Sequence, residues 1–154
     1  MIGGSARGLR FALIVSRFHE SITTKLLAGA RQCLLEHGVR EKDVAVAHCP
    51  GAFELPQVAN LIARRKNVDA IVCLGAVIRG ETPHFDYVAA GTAFGIQKVS
   101  LESSIPVSFG VLTTDNERQA KERVGGKHGH KGWDAALAAI EMARLSKTLK
   151  RRRR

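Results

Sequence analysis

Apolar and polar positions along the chain follow two different periods, and the switches between them mark out the elements. Phe11 to Val15 is a short apolar run ending at Ser16, the pattern of a strand covered on both faces. Ile22, Leu26, Ala30, Cys33 and Leu34 then recur on one face of a helix that His37-Gly38 closes. Val44 to Ala47 reads as a second strand. Leu55 to Arg65 reads as a second helix, with Leu55, Val58, Ala59 and Ile62 on one side. Ala70 to Val77 is unbroken and apolar, a third strand, and the helix after it places Phe85, Val88, Ala89, Thr92, Ala93 and Ile96 on one stripe. Pro106 opens a fourth strand, Val107 to Leu112. Thr114 with Glu117 has the spacing of a capping box for a short helix ending near Val124, and an alanine-rich helix runs from about Trp133 to Leu149. Strands alternating with helices predict right-handed βαβ units. The fold class is α/β, a three-layer sandwich with a four-stranded parallel sheet between two layers of helices.

Composition narrows the picture. A chain of 154 residues, 45% apolar, makes one domain, 1–154, able to bury a core without staples. Residues 1–8, with Gly3, Gly4 and Ser5, are expected to be a flexible lead-in, and residues 147–154 a basic tail. No apolar run approaches the ~20 residues of a spanning helix, and the start lacks a signal-peptide layout, so a cytoplasmic protein is expected. The three cysteines, Cys33, Cys49 and Cys73, have no Cys-x-x-Cys spacing and read as reduced. Cys49 precedes Pro50-Gly51 at a strand end, but no histidine is placed to activate it as a catalytic thiol. The net charge is +10, and six of the cations lie in Lys147, Lys150 and Arg151 to Arg154. Without that segment the charge is +4, too mild for a nucleic-acid binder. The four arginines read as a solvated, frayed end, with an electrostatic contact to RNA or an acidic surface as the alternative.

In such sheets a site lies beyond the carboxyl ends of the strands. Ser16-Arg17-Phe18, Cys49 to Glu54, Val77 to His84 and Thr113-Thr114 all follow strands. After the third strand Gly80 lets the chain turn, Thr82 can cap and Pro83 suits the first helical position. The amides of Glu81 and Thr82, the Thr82 hydroxyl and the helix N-terminus then converge as a phosphate group requires. His84 adds an imidazole able to move a proton near neutral pH. The bland alternative is a strand-to-helix turn whose histidine packs or points at solvent. His128 and His130 have no companion ligands, so no metal site is expected.

Arg79-Gly80-Glu81-Thr82-Pro83-His84-Phe85-Asp86 closely resembles the Arg-Gly-x-Thr-x-His-(Phe/Tyr)-(Asp/Glu) segment of the lumazine synthase (6,7-dimethyl-8-ribityllumazine synthase) family. The resemblance extends through Ser16-Arg17-Phe18, Pro50 to Pro56, Phe109 to Thr113 and Lys131 to Ala136, in family order. It implies a flavodoxin-like fold and condensation of 5-amino-6-(D-ribitylamino)uracil with 3,4-dihydroxy-2-butanone 4-phosphate, without cofactor or metal. By the same resemblance Phe18 stacks on the pyrimidine, while Ala52, Phe53 and Glu54, continued by Ala76, Val77 and Ile78, hold the ring and ribityl chain. Glu81, Thr82 and Arg123, assisted by Lys127, take the phosphate, and His84 shuttles protons. Phe109 and Arg123 are expected at the site of a neighbouring subunit. From the residues alone Phe53 and Phe109 could be core side chains and Arg123 a helix-end cation. The family forms pentamers, and the short Gly125 to Gly132 connection resembles members that build sixty-subunit shells, with riboflavin synthase a possible cargo. A non-catalytic lumazine-, flavin- or RNA-binding cage on the same fold is the rival reading.

Overall fold

A computed structural model describes residues 4–152. The elements run β1 (Phe11–Ser16), α1 (Glu20–Glu36), β2 (Val44–Cys49), α2 (Leu55–Arg64), β3 (Ala70–Ile78), α3 (His84–Ser103), β4 (Val107–Thr114) and α4 (Glu117–Lys121). A small hairpin, β5 (Val124–Gly126) and β6 (Gly129–His130), and the long α5 (Lys131–Arg151) complete the chain. The main sheet is four-stranded, in the order β2-β1-β3-β4, and every pairing in it is parallel. This is the expected α/β sandwich of flavodoxin-like type.

The unbroken apolar runs have a physical cause. β1 and β3 are the central strands and lie between helices on both faces, so successive side chains enter two cores in turn. Leu13, Val15, Val72 and Leu74 pack with Leu26, Leu34, Ala136 and Ile140 on the α1/α5 side. Ala12, Ile14, Ile71 and Cys73 pack with Leu55, Ala59, Ile96 and Val99 on the α2/α3 side. Truncating a fully buried side chain such as Leu74 to alanine should cost about 2–5 kcal/mol. At Gly132 an added Cβ would collide with the Leu26 carbonyl, so glycine is what lets the start of α5 lie against α1.

Four local expectations change. Ala6 is buried and its N–H donates to the His37 carbonyl at 2.8 Å, so this part of the lead-in is packed. Thr82 does not cap α3. Pro83 holds the cap position, with no side-chain hydrogen bond there, and the helix begins at His84. Thr114 with Glu117 is not a capping box either. Thr114 is the last residue of β4, its hydroxyl donates to the Asn116 carbonyl at 2.9 Å, and Asn116 Oδ1 accepts the Gln119 N–H at 2.9 Å. Finally, α5 continues through Arg151, with Lys147 paired to Asp69 at 2.9 Å, while Arg153 and Arg154 lie outside the described residues. No helix among the described residues is long and apolar enough to cross a membrane.

The chain leaves β1 for one neighbour, β2, and later returns to place β3 on the other side of β1. Loops after β1 and β3 therefore lead to helices on opposite layers, α1 and α3, and part at the carboxyl edge. Such a switch point is where an open parallel sheet leaves room for a ligand.

Candidate functional site

A cleft of about 620 Å³ opens there, and four separated segments line it. The exit of β1 supplies Phe18 and His19, and the turn after β2 supplies Gly51 to Glu54. The end of β3 gives Ala76, Val77 and Ile78 as a floor, and Gly80, Thr82, His84, Phe85, Tyr87 and Val88 close the far wall.

Backbone hydrogen bonds hold the first two segments together. The N–H groups of Arg17 and Phe18 donate to the carbonyls of Cys49 and Pro50 at 2.9 and 3.0 Å, extending the β1–β2 ladder beyond the strands. The half-buried Glu54 turns one carboxylate oxygen back to the Gly51 N–H at 3.0 Å, which stabilises the turn and leaves its other oxygen uncommitted there. Phe53 lies against Gly91 of α3, where an added Cβ would come within 2.9 Å of its ring. A bulkier residue at 91 would push that ring across the cleft.

The far wall is braced by Arg79. Its N–H donates to the Thr114 carbonyl at 2.9 Å, its guanidinium lies 4.3 Å from the centroid of Phe85, and it pairs with Asp115 and Asp86 at 3.1 and 3.4 Å. Asp115 chiefly, with Asp86, raises the Arg79 pKa further, so this cation remains charged and already satisfied. His84 stands exposed at the first position of α3. Tyr87 and Val88, three and four residues on, share its helix face and line the same cleft.

Cys49 lies beneath this surface. It is buried, and its thiol donates to the Gly51 carbonyl at 3.4 Å. Burial, with the Glu54 charge adding and Arg17 opposing, raises its pKa, so it stays a thiol at neutral pH and a poor nucleophile. Burial likewise pushes Cys33 up to about 12 and raises Cys73. Among the described residues no group of three His, Cys, Asp or Glu side chains could hold a metal ion.

The structure thus brings Phe18, Ala52, Phe53, Glu54, Ala76, Val77, Ile78, Thr82 and His84 to one cleft. Glu81 stands in the same loop without lining it. Phe109, Arg123 and Lys127 are not part of its wall in this chain. Phe109 projects from the edge strand β4, 43% exposed. Arg123 follows α4, where its Nη1 donates to the Gln119 carbonyl at 2.9 Å, and Lys127 occupies the turn of the β5–β6 hairpin. That hairpin returns the chain to Arg123, whose carbonyl accepts the Lys131 N–H at 2.8 Å. His19, Gly51, Phe85, Tyr87 and Val88 also line the cleft and were not assigned to it from the sequence. For Tyr87 and Val88 the signal was present, at i+3 and i+4 from His84.

Residues 8–147 match the family model described as 6,7-dimethyl-8-ribityllumazine synthase. This chain belongs to that family. The 6,7-dimethyl-8-ribityllumazine synthases of two strains of Clostridium kluyveri are each 54% identical to it over 145 residues, 94% of this chain and 94% of the relative. Against the lumazine synthase family the geometry is economical. Its aromatic-walled cleft and the cations Arg123 and Lys127 occupy different parts of one subunit.

Proposed function

We propose that this chain is a 6,7-dimethyl-8-ribityllumazine synthase, acting in the cytoplasm on 5-amino-6-(D-ribitylamino)uracil and 3,4-dihydroxy-2-butanone 4-phosphate. The observation that carries this reading is the cleft between β1 and β3, in which aromatic rings, an apolar strand end and a half-buried carboxylate face an imidazole at a helix start. Phe18 stacks on the pyrimidine, Phe53 and the main chain of Ala76 to Ile78 hold its edges, and Glu54 accepts hydrogen bonds from the ribityl hydroxyls. The N-terminus of α3, with Glu81, Thr82 and the cations Arg123 and Lys127, receives the phosphate.

The ring amine attacks the ketone carbon, and water leaves as the imine forms. His84 takes a proton as phosphate is eliminated across the adjacent carbons, and the enol tautomerises to a second carbonyl. The ribityl-bearing nitrogen then closes the ring on that carbon, and a second water departs to give the lumazine. Oxidation levels balance within the two substrates, so no redox cofactor is called for. Much of the acceleration comes from holding two reactants in one orientation, an effect of about 7–11 kcal/mol in well-aligned intramolecular models.

We infer further that the site is completed by a second copy, which brings Phe109 and Arg123 to the open side of the cleft in a pentameric ring, with twelve rings forming a sixty-subunit shell able to enclose riboflavin synthase as cargo. Supporting this is a row of exposed apolar side chains on α3 at seven-residue spacing, Tyr87, Phe94 and Leu101, exposed by 75, 77 and 71%. Such a stripe is costly to leave in water. The relatives' shared name and high identity weigh against a non-catalytic cage. Incubation of the purified protein with both substrates tests the reaction through the lumazine absorbance, and absence of that chromophore would reject it. A sedimentation mass near one pentamer would reject the shell.

A further inference from the structure

His19 has a backbone conformation that its place in the fold does not explain. Among the described residues, the non-glycine positions with positive φ are His19, Lys66 and Ser104. Lys66 and Ser104 follow the carboxyl ends of α2 and α3, where a left-handed residue is the usual way to stop a helix. His19 instead starts one. It sits at the N-cap of α1 with φ 61 and ψ 51, where an extended backbone and a capping side chain are the rule, and its side chain makes no cap hydrogen bond. Its carbonyl accepts the Ile22 and Thr23 N–H groups at 2.9 and 3.1 Å, as at any helix start, but nothing in the cap uses the side chain, and a strained conformation of this kind points to a use elsewhere.

The use lies in the cleft. The His19 ring lines it, and its centroid is 4.5 Å from that of Phe18 at an interplanar angle of 66°, an edge-to-face contact of the favoured kind. Phe18 is 68% exposed, and this is the one aromatic-ring contact it makes among the described residues. A ring so exposed and so little packed would sample several rotamers, and a ligand stacking on it would have to select one at an entropic cost.

We propose that His19 is a positioning residue for the pyrimidine half of the site: its left-handed backbone turns the imidazole onto Phe18 and holds that ring ready to stack. The proposal rests on the assignment of Phe18 as the stacking platform, and a double-mutant cycle separates the two. His19→Asn keeps tolerance for the left-handed backbone while deleting the ring, and His19→Gly relieves the backbone altogether. Both should raise KM for ribitylaminouracil by about two- to tenfold, the worth of one aromatic pair, with kcat and the KM for the butanone phosphate little changed. In a Phe18→Leu background His19→Asn should add no further loss. His19→Gly should melt no lower than wild type.

A full additional loss in the Phe18→Leu background would show that His19 acts independently of Phe18 and overturn the proposal. So would equal changes in both KM values, or a parallel fall in kcat and melting temperature, which mark a merely structural role. If Phe18→Leu raises the uracil KM and His19→Asn does not, the brace alone is rejected. If Phe18→Leu changes nothing, the stacking platform is rejected and the brace with it.

Discussion

The carboxyl edge of the sheet divides into two regions of opposite character. Around β1 and β3 four segments converge on a cleft walled by Phe18, Phe53, Phe85 and Tyr87 and floored by Ala76 to Ile78. Arg79, which braces its far wall, is already engaged by Asp115 and Asp86. Around β4 and the hairpin, apart from the lining of that cleft, Arg123 and Lys127 offer charge, and Phe109 stands on an open strand edge. One substrate is a neutral ring with a polyhydroxyl chain and the other ends in a phosphate. The cleft suits the first, and the cations that would help the start of α3 hold the phosphate lie in the other region. The proposed head-to-tail ring, in which the β4 side of one subunit meets the cleft of the next, would unite them.

The largest effect is expected on the cleft side. His84→Gln should lower kcat by about 10²- to 10⁴-fold while leaving both KM values near wild type, because it removes proton transfer and spares positioning. Wild-type turnover in steady-state assays would remove His84 from its role. On the cation side, Arg123→Ala should raise KM for the butanone phosphate by roughly ten- to a hundredfold, the cost of losing a charged hydrogen-bond donor, with little change for the uracil. Equal weakening of both would mean that Arg123 only secures the Gln119 carbonyl.

Mixing the two variants tests the division directly. If the site is shared, random reassembly of equal amounts of unfolded His84→Gln and Arg123→Ala chains pairs two intact halves at about a quarter of the interfaces. Assayed at low butanone phosphate, activity should return to about that fraction of wild type. Activity no higher than the parental average, with mixing confirmed by mass, would locate the whole site in one chain. The smallest effect belongs to Cys49→Ala, which should change kcat/KM by no more than about twofold, since burial keeps this thiol protonated. A loss of several hundredfold would reinstate a nucleophile beneath the cleft.

Residue pattern was enough for the order and type of the main elements. The runs at Phe11, Val44, Ala70 and Val107 appear as strands within about two residues of their observed ends, because short apolar runs bounded by turn signals and alternating with helical patterns suit the strands of a parallel sheet. It also determined the chemistry at the strand exits, where apolar residues give way to Phe18, Glu54 and His84. Local capping was decided by competition between neighbouring side chains, and so Asn116 rather than Thr114 starts α4. The hairpin at Val124 to His130 is too short and glycine-rich to carry a period, and the burial of Ala6 depends on a carbonyl thirty-one residues away, at His37. It took the tertiary structure to show that His19 lines the same cleft as His84, and that Phe109 and Arg123 do not. Periodicity assigns a side chain to a face of its own element, but which faces meet across a cleft depends on how the strands and helices are placed in space.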